Sequence, residues 1–197
     1  ESGKLVISLS AEDIHGNIGF AVASVIIQPI PTRIELQIDQ AAYSPGDVVK
    51  LTPLLVDQAD DIVIKDITLE VYNPNNEKVY SETVESTKEV KFTLATTALP
   101  GNWKIKAYSG DVVQELQFTL GEFVALDFRI EDSLLYIRNI GNKKFRDTMV
   151  VTLESLEKSS LITKELVLGI NQTKTINLAK GTLTGTYTVK VQDKVFE

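Results

Sequence analysis

The chain has 197 residues, room for one large or two small domains, and its 43% hydrophobic and 24% charged residues describe a folded chain and not a disordered one. It contains no cysteine, which excludes disulfide staples, thiolate metal sites and cysteine nucleophiles, so each core must hold by burial alone. The net charge of −7 is unevenly spread, with 17 acidic and 9 basic side chains in residues 1–121 against 10 and 11 in residues 122–197, and an acidic first part argues against nucleic acid as a partner, because that needs a basic face.

The chain opens on Gly3-Lys-Leu-Val-Ile-Ser8. Its alternation puts Leu5 and Ile7 on one side of a strand. A turn follows at Asp13-Ile-His-Gly-Asn17, then a second strand over residues 19–27. The apolar run 20–27 is about a third of what a membrane-spanning helix requires. This pair reads as the closing hairpin of a sandwich whose body lies upstream. An isolated hairpin is marginal in water, so it is expected to pack on the next domain or on another chain. Pro29-Ile-Pro31 reads as a stiff linker.

Residues 32–39 alternate Ile34, Leu36 and Ile38 and open a second domain. Tyr43-Ser-Pro-Gly-Asp47 reverses the chain. The next strand, 48–56, is expected to break or bend at Pro53. Asp57-Gln-Ala-Asp-Asp61 is an acidic loop. Strands follow at 67–72, 78–83 and 89–94, with Asn73-Pro-Asn-Asn76 as a hairpin turn. The tryptophan strand starts at Gly101-Asn-Trp-Lys-Ile-Lys106, and 112–120 closes the domain. That makes about seven strands in about 90 residues, the spacing of an immunoglobulin-type sandwich.

Gly121-Glu122 marks a further boundary. Strands are expected at 124–130, 134–139, 148–153, 161–168, 174–178 and 186–191, with a turn at Asn139-Ile-Gly-Asn142. Residues 154–166 have a weak helical pattern, but Ser159-Ser160 and the β-branched residues beyond favour turn and strand. The opening hexapeptide pattern (glycine, spacer, large apolar residue, spacer, β-branched residue) occurs at Gly3, at Gly101 and again in Gly185-Thr-Tyr-Thr-Val-Lys190. It aligns Leu5, Trp103 and Tyr187 as equivalent core positions on the first strand of a closing hairpin. The third hairpin reads as cut short at residues 195–197. The predicted fold is thus all-β, tandem immunoglobulin-like β-sandwiches with the first reduced to its C-terminal hairpin: residues 1–30, 31–121 and 122–197.

Two resemblances rest on these residues. Tyr43-Ser-Pro-Gly-Asp-Val-Val, with Leu99-Pro-Gly-Asn-Trp-Lys-Ile105, resembles the macroglobulin-type sandwich over residues 32–121. The thioester that gives macroglobulins their protease trap is absent, since no cysteine exists to form it. Leu134-Leu-Tyr-Ile-Arg-Asn-Ile-Gly-Asn142 resembles the CARDB-type adhesion domains of prokaryotic surface proteins, and Ala11-Glu-Asp-Ile-His-Gly-Asn17 is similar to a turn of bacterial immunoglobulin-like repeats. The resemblance implies an extracellular or cell-surface multidomain protein with protein domains or copies of itself as partners, touching membrane only through a flanking anchor. It implies no catalysis.

Candidate sites are few. His15 is the single histidine; a triad or a histidine metal site needs partners it lacks, and a turn role is expected. Asp57, Asp60, Asp61 and Asp66 are weighed as a calcium loop against a solvated acidic loop, and the latter is favoured. The Asp13/Asn17 pair is weighed as a metal site against turn chemistry, again favouring the latter. Trp103 is either a sugar-stacking platform or core, and its register with Ile105 says core. Asn171-Gln-Thr173 is a glycosylation sequon. No catalytic, metal or cofactor residues are assigned. The expected role is structural or adhesive, as stalk, spacer or envelope-layer unit; the alternative is a ligand- or carbohydrate-binding accessory module of a secreted enzyme.

Overall fold

A computed structural model describes residues 2–156, 159–179, 186–192 and 194–196. Among these, every element is a strand. The chain is an all-β protein of immunoglobulin-like sandwiches. Its contacts divide it into two compact units, Glu1–Ala41 with Val48–Phe92 and Asn102–Phe118, and Ala42–Asp47 with Thr93–Gly101 and Thr119–Glu197.

The first strands, β1 (Gly3–Glu12) and β2 (Ile18–Ile27), pair antiparallel only with each other. The strands that follow are β3 (Pro31–Ile38), β4 (Ala42–Tyr43), β5 (Val48–Asp57), β6 (Asp66–Tyr72), β7 (Lys78–Glu85), β8 (Val90–Thr93), β9 (Gly101–Ser109) and β10 (Val112–Leu120). They form a three-stranded sheet, β3-β5-β8, and a five-stranded sheet, β4-β10-β9-β6-β7, in which the short β4 runs parallel to β10. Strand β6 shows why these residues are strands: Ile67, Leu69 and Val71 are buried while the residues between them are partly exposed. On β9 the same alternation buries Trp103, Ile105 and Ala107. A run of rings crosses from sheet to sheet in the first unit. Tyr80 on β7 lies 5.3 Å from Phe92 on β8, Phe92 lies 6.3 Å from Phe118 on β10, and Phe118 stacks on Trp103 at 5.9 Å.

The remaining strands are β11 (Leu126–Glu131), β12 (Leu134–Asn139), β13 (Phe145–Glu154), β14 (Ser159–Leu168), β15 (Thr173–Asn177), β16 (Thr188–Val191) and β17 (Lys194–Phe196). Their sheets are β11-β12-β15 and β14-β13-β16-β17. The second core, including Leu135, Ile137, Met149, Val151, Leu166 and Val191, draws on both. Without β4, the earlier sheets read β3-β5-β8 and β7-β6-β9-β10, so seven strands map in order onto β11 to β17. The two sandwiches share one strand order. In each, the second-to-last strand (β9, β16) is bonded to the last strand on one side and to the third (β6, β13) on the other.

The hexapeptide pattern therefore falls on equivalent strands twice. Trp103 is 5% exposed. Tyr187, just ahead of β16, packs half-buried on the second core. Gly185 lies outside the described residues. The first copy sits on β1, also the leading strand of a hairpin, but there Leu5 is 48% exposed.

Three sequence expectations are corrected. Strand β5 runs without a break through Pro53, which pairs opposite Leu36. The missing proline N–H costs nothing because β5 is flanked there by an irregular segment: Thr87 N donates to Pro53 O, and the buried Ser86 hydroxyl accepts from Leu55 N. Strand β13 starts at Phe145, three residues before the expected 148, because Phe145 joins the core opposite Leu168 although charged Arg146-Asp147 interrupts the pattern. Strand β11 starts at Leu126 and not 124, because residues 123–125 bond to a turn instead.

Removing the indole from a filled core should cost about 3–5 kcal/mol for Trp103→Ala. The matching truncation Leu5→Ala should change stability by less than about 0.5 kcal/mol, as surface changes do. Chemical denaturation of the 197-residue chain, followed by far-ultraviolet circular dichroism, measures both.

Candidate interaction surfaces

The acidic loop closes on itself. Asp57 is fully buried, and its Oδ1 accepts the amides of Ala59 and Asp61 at 2.8 and 2.9 Å, an Asx turn that ends β5. Burial pushes the Asp57 carboxyl up, but hydrogen bonds led by those from the Ala59 and Asp61 amides outweigh it and leave the group below the usual carboxylate range. Asp60 pairs with Arg33 at 2.6 Å in the open, where such pairs contribute little. Asp61 Oδ2 accepts both the amide and the hydroxyl of Ser2, at 2.7 and 3.3 Å. Asp66 opens β6, exposed. The four carboxylates thus have separate tasks, and among the described residues no three acidic or histidine side chains gather as metal ligands.

The same loop anchors the hairpin. Gln58 Nε2 donates to Gln28 O, Ile30 N donates to Gln58 Oε1, and Gln58 N donates to Ile30 O, at 2.7 to 3.2 Å. Gln58 therefore grips the proline linker from both sides, and Ser2 fixes the other hairpin leg to Asp61.

Beyond this base the hairpin stands uncovered. Its turn is built by Asp13, whose Oδ1 accepts the amides of His15 and Asn17 and whose Oδ2 accepts Asn17 Nδ2. Those bonds, led by the Asn17 side chain, hold the Asp13 carboxyl below its ordinary range. His15 contributes only backbone here and is exposed. Register places Leu5, Ile7, Leu9 and Ala11 on one face with Val25, Ala23, Ala21 and Gly19. With Gly3 and Ile27 at the base, that face carries no polar side chain. The other face is divided: Lys4, Ser8, Ser10 and Glu12 share β1 with Val6, whereas β2 offers Ile18, Phe20, Val22 and Ile26 around Ser24. Leu9 is 64% and Phe20 78% exposed.

A second organised spot lies in the second unit. Asn139 is fully buried; its Nδ2 donates to Lys143 O and Leu168 O, and its Oδ1 accepts Gly141 N. Asn142, 1% exposed, donates through Nδ2 to Gly121 O and accepts Phe123 N at 2.6 Å. Backbone bonds from Asn142 N to Phe123 O and from Ile140 N to Ala125 O complete a splint. Gly141 is required here because a Cβ would lie 2.3 Å from Phe123 O. The turn was legible in the sequence. Its grip on residues 121–125 was not, because such bonds leave no periodic trace.

Trp103 is core and offers no sugar platform. Asn171 is exposed at φ +60°, its Oδ1 accepting from Arg138. An open cleft of about 430 Å³ between β14 and β15 is lined by Ile162, Lys164, Leu166 and Lys174 to Asn177. On β6, Glu70 collects Tyr72, Tyr108 and Lys78, and its hydrogen bond raises the Tyr72 hydroxyl to about 12.

No protein-family model matches the sequence, and neither does any curated protein. Among solved structures, the chain is similar to trypsin-activated alpha-2-macroglobulin from Escherichia coli (17% identity over 82% of this chain and 14% of that one, TM-score 0.44). It is also similar to a tetra-tandem repeat from the extending region of a large adhesion protein (16%, 96% and 52%, 0.39) and to the amphioxus IgVJ-C2 molecule (16%, 61% and 60%, 0.29). At these identities any likeness is one of fold alone. The chain spans less than a fifth of the macroglobulin it matches.

Gly141→Ala should force residues 123–125 off the turn and cost about 1–3 kcal/mol, the usual effect of overpacking, read as a drop in the denaturation midpoint. The lowered Asp57 value means its contribution is complete above the ordinary carboxylate range and is lost as pH falls through the folded value. Thermal midpoints taken from pH 6 down to about pH 2 should fall less steeply for Asp57→Asn than for the parent chain.

Proposed function

We propose that this chain is a non-catalytic architectural segment of a secreted or cell-surface protein, serving as stalk, spacer or envelope-layer unit. In this reading residues 31–121 and 122–197 are successive modules, and residues 1–30 are a hairpin with its proline linker. The first module is of macroglobulin type. Its Tyr43-Ser-Pro-Gly-Asp47 motif supports that reading, with Tyr43 buried and Gly46 at φ +92°. The second is of CARDB type, with Asn139, Gly141 and Asn142 as its splint. Partners are protein domains or further copies of the chain.

One observation carries the proposal: the same seven-strand order is used twice in succession. Several of the polar side chains that drew attention in the sequence also hold turns. Asp13, Asp57, Asn73, Asn139 and Asn142 all bond to backbone of their own loops or of a neighbouring segment. Such residues serve shape and leave no set arranged for a reaction. The acidic first part fits solubility outside nucleic-acid contexts. Asn171, exposed on its turn, is the place for a glycan where the exporting organism supplies one.

Pulling the chain from its ends in a single-molecule instrument should give two unfolding events, one releasing about 300 Å of contour from roughly 90 residues and the other about 260 Å from roughly 75, at about 3.4 Å each. A single weak event would sink the spacer reading. A glycan array probed with the same chain should be blank. Specific binding there would instead establish the accessory carbohydrate-binding role.

A further inference from the structure

We infer that β1 and β2 are the last two strands of a third sandwich of the same order, completed by polypeptide that precedes Gly3 and not by a second copy of this chain. Burial, backbone pairing and area within the molecule support this independently of the spacer reading, and would do so equally for a carbohydrate-binding module.

The first comparison is of burial at matched positions. The pattern aligns Leu5, Ile7 and Leu9 with Trp103, Ile105 and Ala107, and with half-buried Tyr187 followed by Val189 and Val191. In β9 and β16 these residues are 0 to 8% exposed; in β1 they are 44 to 64% exposed. The same sequence chemistry is thus covered twice and bare once.

The second is of backbone. Strands β9 and β16 are each hydrogen-bonded on both edges, whereas β1 has only β2. An unpaired edge next to an apolar face invites a strand. By analogy with β6 and β13, that strand lies antiparallel along the outer edge of β1, and a three-stranded sheet covers the Leu5, Ile7 and Leu9 face.

The third is of area. Ten residues at about 3.4 Å and two strands about 4.8 Å apart give a ribbon face of roughly 330 Å². A stable association between separate molecules buries about 800 Å² of accessible surface on each partner, so a second copy would have to cover more than this one ribbon face. The face is the right size for the inner face of a strand pair within one sandwich, where covering it does not cost the freedom of a separate molecule.

The test compares two polypeptides by amide hydrogen exchange. One is the 197-residue chain; the other carries in addition the residues encoded immediately before it, about 70, the length of a sandwich of about 100 less two strands. In the shorter chain, amides of β1 and β2 should exchange at least about 100-fold faster than those of β9, and sedimentation should show a monomer. In the longer chain they should slow to the level of β9. There Leu5→Asp should restore fast exchange in β1 and β2, while Ser8→Asp on the divided face should not. Hairpin amides that stay fast in the longer chain would overturn the inference. So would hairpin protection in the monomeric shorter chain, or a dimer of it that Leu5→Asp dissolves, which would make the occupant a second copy.

Discussion

Everything in this molecule depends on sheet-to-sheet burial of alternate side chains, with nothing covalent in reserve. In the first unit the contact is concrete: Phe92 from the three-stranded sheet sits between Tyr80 and Phe118 of the opposite sheet, and Phe118 rests on Trp103. In the second, aliphatic residues and Met149 fill most of the space, with Phe128 and Phe145 beside them. Two different fillings support one strand order, as expected when volume and pattern matter more than particular shapes.

Buried polar groups then decide where the sheets stop. Ser86 supplies a buried acceptor for Leu55 N on β5, and Asn139 ties segments of the second sandwich together at one corner. Each such group is costly if left alone and harmless once bonded. That is why they occur at corners, where backbone donors and acceptors would otherwise be orphaned.

The strands were legible because a half-buried strand writes period two into its sequence, as in Ile67, Leu69 and Val71. The core role of Trp103 followed from the same register. The misreadings came where another interaction displaced that signal. Pro53 looks like a breaker until Ser86 and Thr87 are seen beside it. Arg146 and Asp147 hide a strand start, and residues 123–125 look like strand but are held by a turn. The hexapeptide repeat falls on the leading strand of a hairpin at β1 and β9 and just ahead of β16, yet it was silent on cover: Leu5 and Trp103 read alike and differ about tenfold in exposure. The acidic loop was legible as a loop, but the inward turn of Asp57 depends on amides two and four residues ahead.

The short parallel strand β4 has a consequence for what the protein can become. It occupies the outer side of β10 near its end, while the far edge of that sheet, β7, presents Lys78, Glu82 and Glu85 to solvent. One border is thereby stoppered and the other studded with charge, both of which discourage sheet-by-sheet growth into fibrils. For that sheet, with no disulfide to hold the fold closed, the edge-to-edge route to amyloid is obstructed in the folded state.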